Sequence, residues 1–247
     1  MPRLVSFPNG LALALAAAAD WLSLLEKSSG PFLTALSGGR IARDFFTAVT
    51  KVAGKSGAPL RDVHFFWADE RCVPPGDPAS NFRVDNENLL RPLGISPERI
   101  HRLKGELQPA AAVAEAAAEL RRLAPNGALG MPILDIVFLG LGEDGHTASL
   151  MPNAPASVLQ SREPWVHVAN SPKPPPNRLT LTYPMLAAAR EVWTLVSGTD
   201  KETALRESLR PGGTTPFARV LRERAETRVY TDLTGIEGLG FVPCQRD

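Results

Sequence analysis

Short apolar runs alternate with helical periodicity along almost the whole chain. Runs at Phe32–Leu36, Val63–Trp67, Ile133–Leu139, Trp165–Ala169, Leu179–Tyr183, Val192–Ser197 and Arg228–Thr231 predict strands. Between them, Ile41–Val52, Phe82–Leu90, Ala110–Leu123, Pro184–Ala189, Lys201–Leu209 and Pro216–Arg224 carry the spacing of helices. Alternation of this kind predicts an α/β domain with a mostly parallel central sheet. Val63–Trp67 and Ile133–Leu139 are apolar at nearly every position, as strands buried on both faces are.

The first apolar run, Leu11–Ala19, needs separate treatment. Arg3 before it and small residues within it resemble a secretory signal. Apolar residues nevertheless continue at helical spacing through Trp21, Leu22, Leu24 and Leu25, and polar Asn9 and Asp20 bracket the run. We read an amphipathic first helix, too short for a bilayer span, which needs about 20 apolar residues. Two segments are stiff instead of periodic. Val73–Ala79 holds three prolines and Ser171–Asn177 holds four, so both read as rigid loops over a site.

Composition narrows the function classes. With 247 residues, 44% hydrophobic and 21% charged, the chain is expected to form one domain over residues 1–247. A net charge of +1 gives no basis for a nucleic-acid partner. Cys72 and Cys244 are too few for a disulfide framework, and their spacing fits no zinc site, so a cytoplasmic protein with reduced thiols and no metal is expected.

Candidate chemistry gathers where strands end. Ile133–Leu139 runs into Gly140-Leu-Gly-Glu143-Asp144-Gly-His146, a flexible turn carrying an acid and the one side chain that titrates near neutrality. Asp144 stands close enough to hold the His146 ring. The run Phe32–Leu36 enters Ser37-Gly38-Gly39-Arg40 before a helix, where backbone N–H groups favour an anion and Arg40 adds a fork for phosphate. After Val63–Trp67 come Asp69, Glu70 and Arg71. One of the acids could orient a hydroxyl or water, and Arg71 could stabilise an oxyanion. Arg178, after the second proline loop, and Lys201, after Ser197-Gly198-Thr-Asp200, bring further cations to strand boundaries. The remaining histidines read as structural: His64 and His167 within strands, His101 in a loop. Ser149 lacks a Gly-x-Ser-x-Gly elbow, which argues against a serine nucleophile.

In this order the motifs resemble the 6-phosphogluconolactonase family: Leu36-Ser-Gly-Gly39, then Trp67-Ala-Asp-Glu-Arg71 with Ser80-Asn81, then Gly140 to Leu150, then Asn177-Arg-Leu-Thr-Leu-Thr182, then Ser197 to Lys201. The resemblance covers nearly the whole chain. It implies a Rossmann-like three-layer fold shared with amino-sugar-phosphate deaminases, the substrate 6-phospho-D-glucono-1,5-lactone, and no cofactor. It further implies His146 as general base and Asp144 as its holder, Arg71 at the oxyanion and Asp69 at the sugar. Gly38, Gly39, Arg178 and Lys201 match the phosphate positions. We expect a monomer whose partner is this small phosphosugar lactone, with no membrane and no nucleic acid involved.

One departure stands out. Where the family continues Ser-Gly-Gly-Ser-Thr-Pro, this chain has Arg40-Ile41-Ala42, so the usual hydroxyl is missing and Arg40 is expected to compensate. Two alternatives share the resemblance. A deaminase would place a glutamate shortly after the histidine, where this chain has Ser149-Leu-Met-Pro152-Asn153 and no acid. A non-catalytic sugar-phosphate sensor would have no need of His146.

Overall fold

The computed structural model describes residues 2–54, 60–127, 130–224, 226–236 and 242–243. Seven strands form the main sheet: β1 (Arg3–Ser6), β2 (Phe32–Leu36), β3 (Val63–Trp67), β5 (Ile136–Gly140), β8 (Glu191–Val196), β9 (Arg228–Thr231) and β10 (Val242–Pro243). Their order is β10-β1-β9-β8-β5-β2-β3, and every neighbouring pair is parallel. The parallel sheet expected from the sequence is therefore present.

Two expected strands lie elsewhere. β6 (Trp165–Val168) and β7 (Arg178–Leu181) join β4 (Asp69–Arg71) in a small antiparallel sheet, ordered β4-β7-β6. The proline loop between β6 and β7 holds no crossover helix, so the chain can only turn back on itself. β5 begins later than Ile133 because Met131–Ile133 are engaged in a turn: Gly127 N–H donates to Met131 O and Ile133 N–H to Pro125 O.

The helices are α1 (Gly10–Glu26), α2 (Arg40–Ala53), α3 (Asn81–Asp85), α4 (Pro109–Leu123), α5 (Ala156–Leu159), α6 (Tyr183–Ala188), α7 (Glu202–Leu209) and α8 (Pro216–Glu223). The single helix expected at Phe82–Leu90 is α3 followed by a π turn over Asn86–Leu90. Asn9 caps α1 by accepting from Ala12 N–H at 2.9 Å. The apolar run then buries Leu13, Ala14, Ala17, Ala18, Trp21, Leu22 and Leu25. Trp21 packs edge-on against Phe138 of β5, with centroids 5.0 Å apart, and lies 5.8 Å from Phe45 of α2. Burying each such side chain stabilises the fold by roughly 1.5–3 kcal/mol. The first apolar run is thus a core helix. Among the described residues, no helix is long and apolar enough to cross a membrane.

α1 and α2 cover one face of the main sheet. On the other, Phe66 of β3 stacks with His101 (centroids 4.6 Å) and Trp165 of the small sheet (6.3 Å), which makes three layers. β2 and β5 are adjacent, yet the chain leaves β2 towards β3 and leaves β5 towards β8. This reversal opens a crevice at their carboxyl ends, the place where open α/β sheets bind ligands.

Candidate active site

The first wall of the crevice is the turn between β2 and α2. Gly39, at a φ of +122°, is the N-cap of α2 and supplies no side-chain cap, leaving the helix's first N–H groups for a ligand. A Cβ on Gly39 would meet nothing within 4 Å, so the space in front of it is open. Gly38 is required by packing, since a Cβ there would come 2.0 Å from Asn81 Oδ1. Arg40 extends to Asp200 in a salt bridge.

The second wall is β4 and the start of α3. Asp69 is only 4% exposed. It accepts from Ser37 Oγ at 3.2 Å, Asn81 Nδ2 at 3.2 Å and Ser149 Oγ at 2.7 Å. Glu70 turns away and anchors α3. It accepts the backbone N–H groups of Arg71, Asn81 and Phe82 at 2.7, 2.7 and 2.8 Å, and Ser80 Oγ at 2.9 Å. Burial raises its pKa against the pull of those bonds. Arg71 Nη1 donates to Ala79 O at 2.5 Å, while its buried Nε has no partner.

The third wall is the loop after β5. Gly142 N–H donates to His146 O at 2.8 Å, and Gly145, at a φ of +78°, donates to Gly142 O at 3.0 Å. This tight turn sets His146 Nδ1 2.5 Å from Asp144 Oδ1. Burial lowers the His146 pKa; Asp144 works against the shift and the nearby Lys173 ammonium works with it. Asp144 ends below its ordinary value. Burial would raise it, but its bonds to His146 and the Lys173 charge outweigh that.

The proline loop forms a strap over the site. Arg178, 4% exposed, spends most of its donors inside the protein. Nε donates to Pro175 O at 3.1 Å, Nη2 to Lys173 O at 3.1 Å and Pro174 O at 3.0 Å, and Nη1 to Ser149 Oγ at 3.4 Å. One N–H of Nη1 is left for the crevice. Lys173 reaches down from the strap to within 3.5 Å of Asp144 Oδ1. Lys201 lies 3.3 Å from Asp200 and 3.5 Å from Glu143.

These walls enclose a cavity of about 290 Å³ lined by Gly38, Gly39, Arg40, Asp69, Arg71, His146, Arg178 and Lys201, among others. Of the residues singled out from sequence, Asp144 stands outside the lining, behind His146, and so do Glu70, turned to α3, and Glu143, beside Lys201. Sequence reading did not assign Lys173, Asn81, Ser37 or Asp200. Lys173 stood in the proline loop already marked as rigid, which was the available signal. Ser149 donates to Asp69 and shares no hydrogen bond with His146. His64 Nδ1 and His101 Nε2 pair at 2.9 Å, and His167 Nε2 meets Asn177 Oδ1 at 3.2 Å. Cys72 is a free, half-buried thiol pushed up to about 11 by burial, whereas Cys244 lies outside the described residues.

Comparison with known proteins follows the same outline. The family described as glucosamine-6-phosphate isomerases/6-phosphogluconolactonase matches residues 8–230. A 6-phosphogluconolactonase of Streptomyces coelicolor is 34% identical over 227 residues, covering 86% of this chain and 84% of that protein. One of Mycobacterium tuberculosis is 40% identical over 165 residues, 63% of this chain and 64% of the other. The solved 6-phosphogluconolactonase of Trypanosoma brucei superposes with a TM-score of 0.83 at 26% identity, covering 97% of this chain and 99% of that one.

Proposed function

The chain belongs to the family of glucosamine-6-phosphate isomerases and 6-phosphogluconolactonases and is an enzyme of the lactonase type, and from that premise we propose how its residues hydrolyse 6-phospho-D-glucono-1,5-lactone. His146 is the general base. Its Nδ1 is committed to Asp144, so Nε2 is the nitrogen that serves the cavity. That commitment is the observation that carries the proposal. A water gives its proton to Nε2 as its oxygen attacks the lactone carbonyl carbon. Charge develops on the carbonyl oxygen, where Arg71 stabilises it, a contribution typically of about 3 kcal/mol per donor. Collapse of the tetrahedral intermediate breaks the bond to the ring oxygen, which takes the proton back from His146. The product is the open-chain acid, 6-phosphogluconate.

Burial assists this role, because it holds the imidazole neutral and ready to accept a proton. The phosphate lies at the α2 N-terminus against Gly38 and Gly39, with Arg40 and Lys201 as counter-charges and Arg178 contributing its last N–H from the strap. Arg40 takes over from the hydroxyl absent at Ile41. Asp69, fixed by Ser37, Asn81 and Ser149, accepts from a sugar hydroxyl. The stretch after His146 holds no carboxylate through Asn153, which supports hydrolysis over deamination. A base and a water suffice for this route. The lining runs from Ser37 to Lys201, which supports a single domain, and we read a cytoplasmic monomer.

The test is the rate of lactone opening with wild-type protein and with His146→Ala at matched pH, each corrected for spontaneous hydrolysis. Wild type is expected to exceed the spontaneous rate and the variant to lose most of the excess. Equal rates for the two would overturn the assignment.

A further inference from the structure

Arg40 belongs to α2 and Lys201 to the turn after β8, yet both converge on one atom. Asp200 Oδ2 accepts from Arg40 Nη2 and lies 3.3 Å from Lys201 Nζ. Glu143 Oε1 lies 3.5 Å from the same ammonium. Gly198, at a φ of +100°, makes room for this arrangement, since a Cβ there would come 2.6 Å from Asp200 Oδ1. Both cations line the cavity beside the uncapped end of α2, whereas Asp200 does not line it. The phosphate end of the site therefore holds two positive side chains already matched by two negative ones.

We propose that Asp200 is a built-in counter-anion, which occupies Arg40 and Lys201 while the site is empty and yields them to the substrate phosphate. The inference rests on the phosphate position assigned above. A dianion entering beside two neutralised cations gains little unless the carboxylate lets go. Release from Arg40 is cheap, because its side chain is 77% exposed and exposed ion pairs are weak, whereas Lys201, 16% exposed, is the stronger hold and gives up Asp200 only to the greater charge of the dianion. A phosphate dianion gains from two cations and the α2 N–H groups together, and so displaces Asp200. A singly charged anion does not. Asp200 thereby lowers overall affinity and raises selectivity for the doubly charged phosphate.

The experiment is titration calorimetry with inorganic phosphate, and separately with chloride, on the full chain. Wild type, Asp200→Asn, Arg40→Gln and the double variant are compared. Asp200→Asn is expected to bind phosphate about three- to tenfold more tightly, the scale of an exposed pair or two. It should also admit chloride as a competitor, and the gain should shrink as ionic strength rises. In the Arg40→Gln background most of the gain should vanish. Unchanged or weaker phosphate binding in Asp200→Asn would overturn the proposal, the weaker case meaning that Asp200 only props the cations in place. The readout is independent of catalysis. A His146→Ala protein as active as wild type, with tighter phosphate binding in Asp200→Asn, would remove the general-base assignment alone, and a wild type active through His146 with unmoved binding in Asp200→Asn would remove this inference alone.

Discussion

Asp144 Oδ1 is bonded to His146 twice, by the ring Nδ1 at 2.5 Å and by the backbone N–H at 3.3 Å. The two residues are two positions apart in a glycine turn, so the acid both orients the ring and fixes its tautomer. With Nδ1–H directed at the carboxylate, Nε2 carries the free lone pair. Asp144→Asn keeps the shape but can present its N–H₂ to the ring, which favours the opposite tautomer. The expected result is a fall in kcat on the order of 10³-fold or more, with a KM near that of wild type. Steady-state kinetics at pH 7.5, corrected for spontaneous opening, measure it; a loss confined to KM would refute the orienting role.

The pH profile tests the charge around the base. Burial holds His146 below its ordinary 6.5, so the acidic limb of kcat/KM should lie below pH 6.5 and the rate should be level through neutrality. Lys173 is part of the cause, its ammonium 3.5 Å from Asp144 disfavouring a second positive charge on the ring. Lys173→Gln removes that opposition, raises the His146 pKa and moves the limb to higher pH. Lys173→Arg retains the charge and should restore it. A limb that stays put in Lys173→Gln would separate Lys173 from the base.

Gly142 is fixed by the ring it supports. A Cβ there would stand 1.9 Å from His146 Nδ1 and 2.7 Å from Asp144 Oδ1, so Gly142→Ala must push the dyad aside. A displacement near 1 Å typically costs about 10²-fold in rate. We expect kcat to fall by about that factor while inorganic phosphate, bound at the other end of the cavity, keeps its wild-type affinity. Parallel kinetics and calorimetry would show the split; equal losses in both would point to general unfolding of the loop.

The dyad was legible in the sequence because its members lie two positions apart in one turn. Ser149 with Asp69 and Arg40 with Asp200 were not, for those partners are 80 and 160 positions apart and only the sheet order brings them together. The same contrast holds for the fold. β2, β3 and β9 match their expected ends; the first two are apolar but for Thr34 and His64. β1 went unread: its four residues bury only Leu4 and Val5, and its neighbour β9 lies at the far end of the chain. β6 and β7 were seen as strands but not as a separate sheet, since periodicity does not encode a partner. Arg178 was legible as a cation at a strand boundary, but the Lys173, Pro174 and Pro175 carbonyls that take most of its donors were not, since residue type does not reveal how a proline loop folds back on its neighbour.

Asp85 is wholly buried, accepting Trp67 Nε1–H on Oδ2 at 2.7 Å and leaving Oδ1 without a partner. Burial raises its pKa well above the ordinary 3.8, reinforced by Glu70 and Asp69 and opposed by the Trp67 bond. The folded protein therefore keeps this proton where the unfolded chain loses it. Its contribution to stability is complete below 3.8 and declines as pH rises towards the folded value. Asp85→Asn is neutral in both states and retains a carbonyl acceptor for Trp67. Relative to wild type, its urea midpoint should thus improve steadily from pH 4 to pH 8. Unfolding curves taken across that range measure the slope, and a difference independent of pH would mean that Asp85 is ionised in the fold.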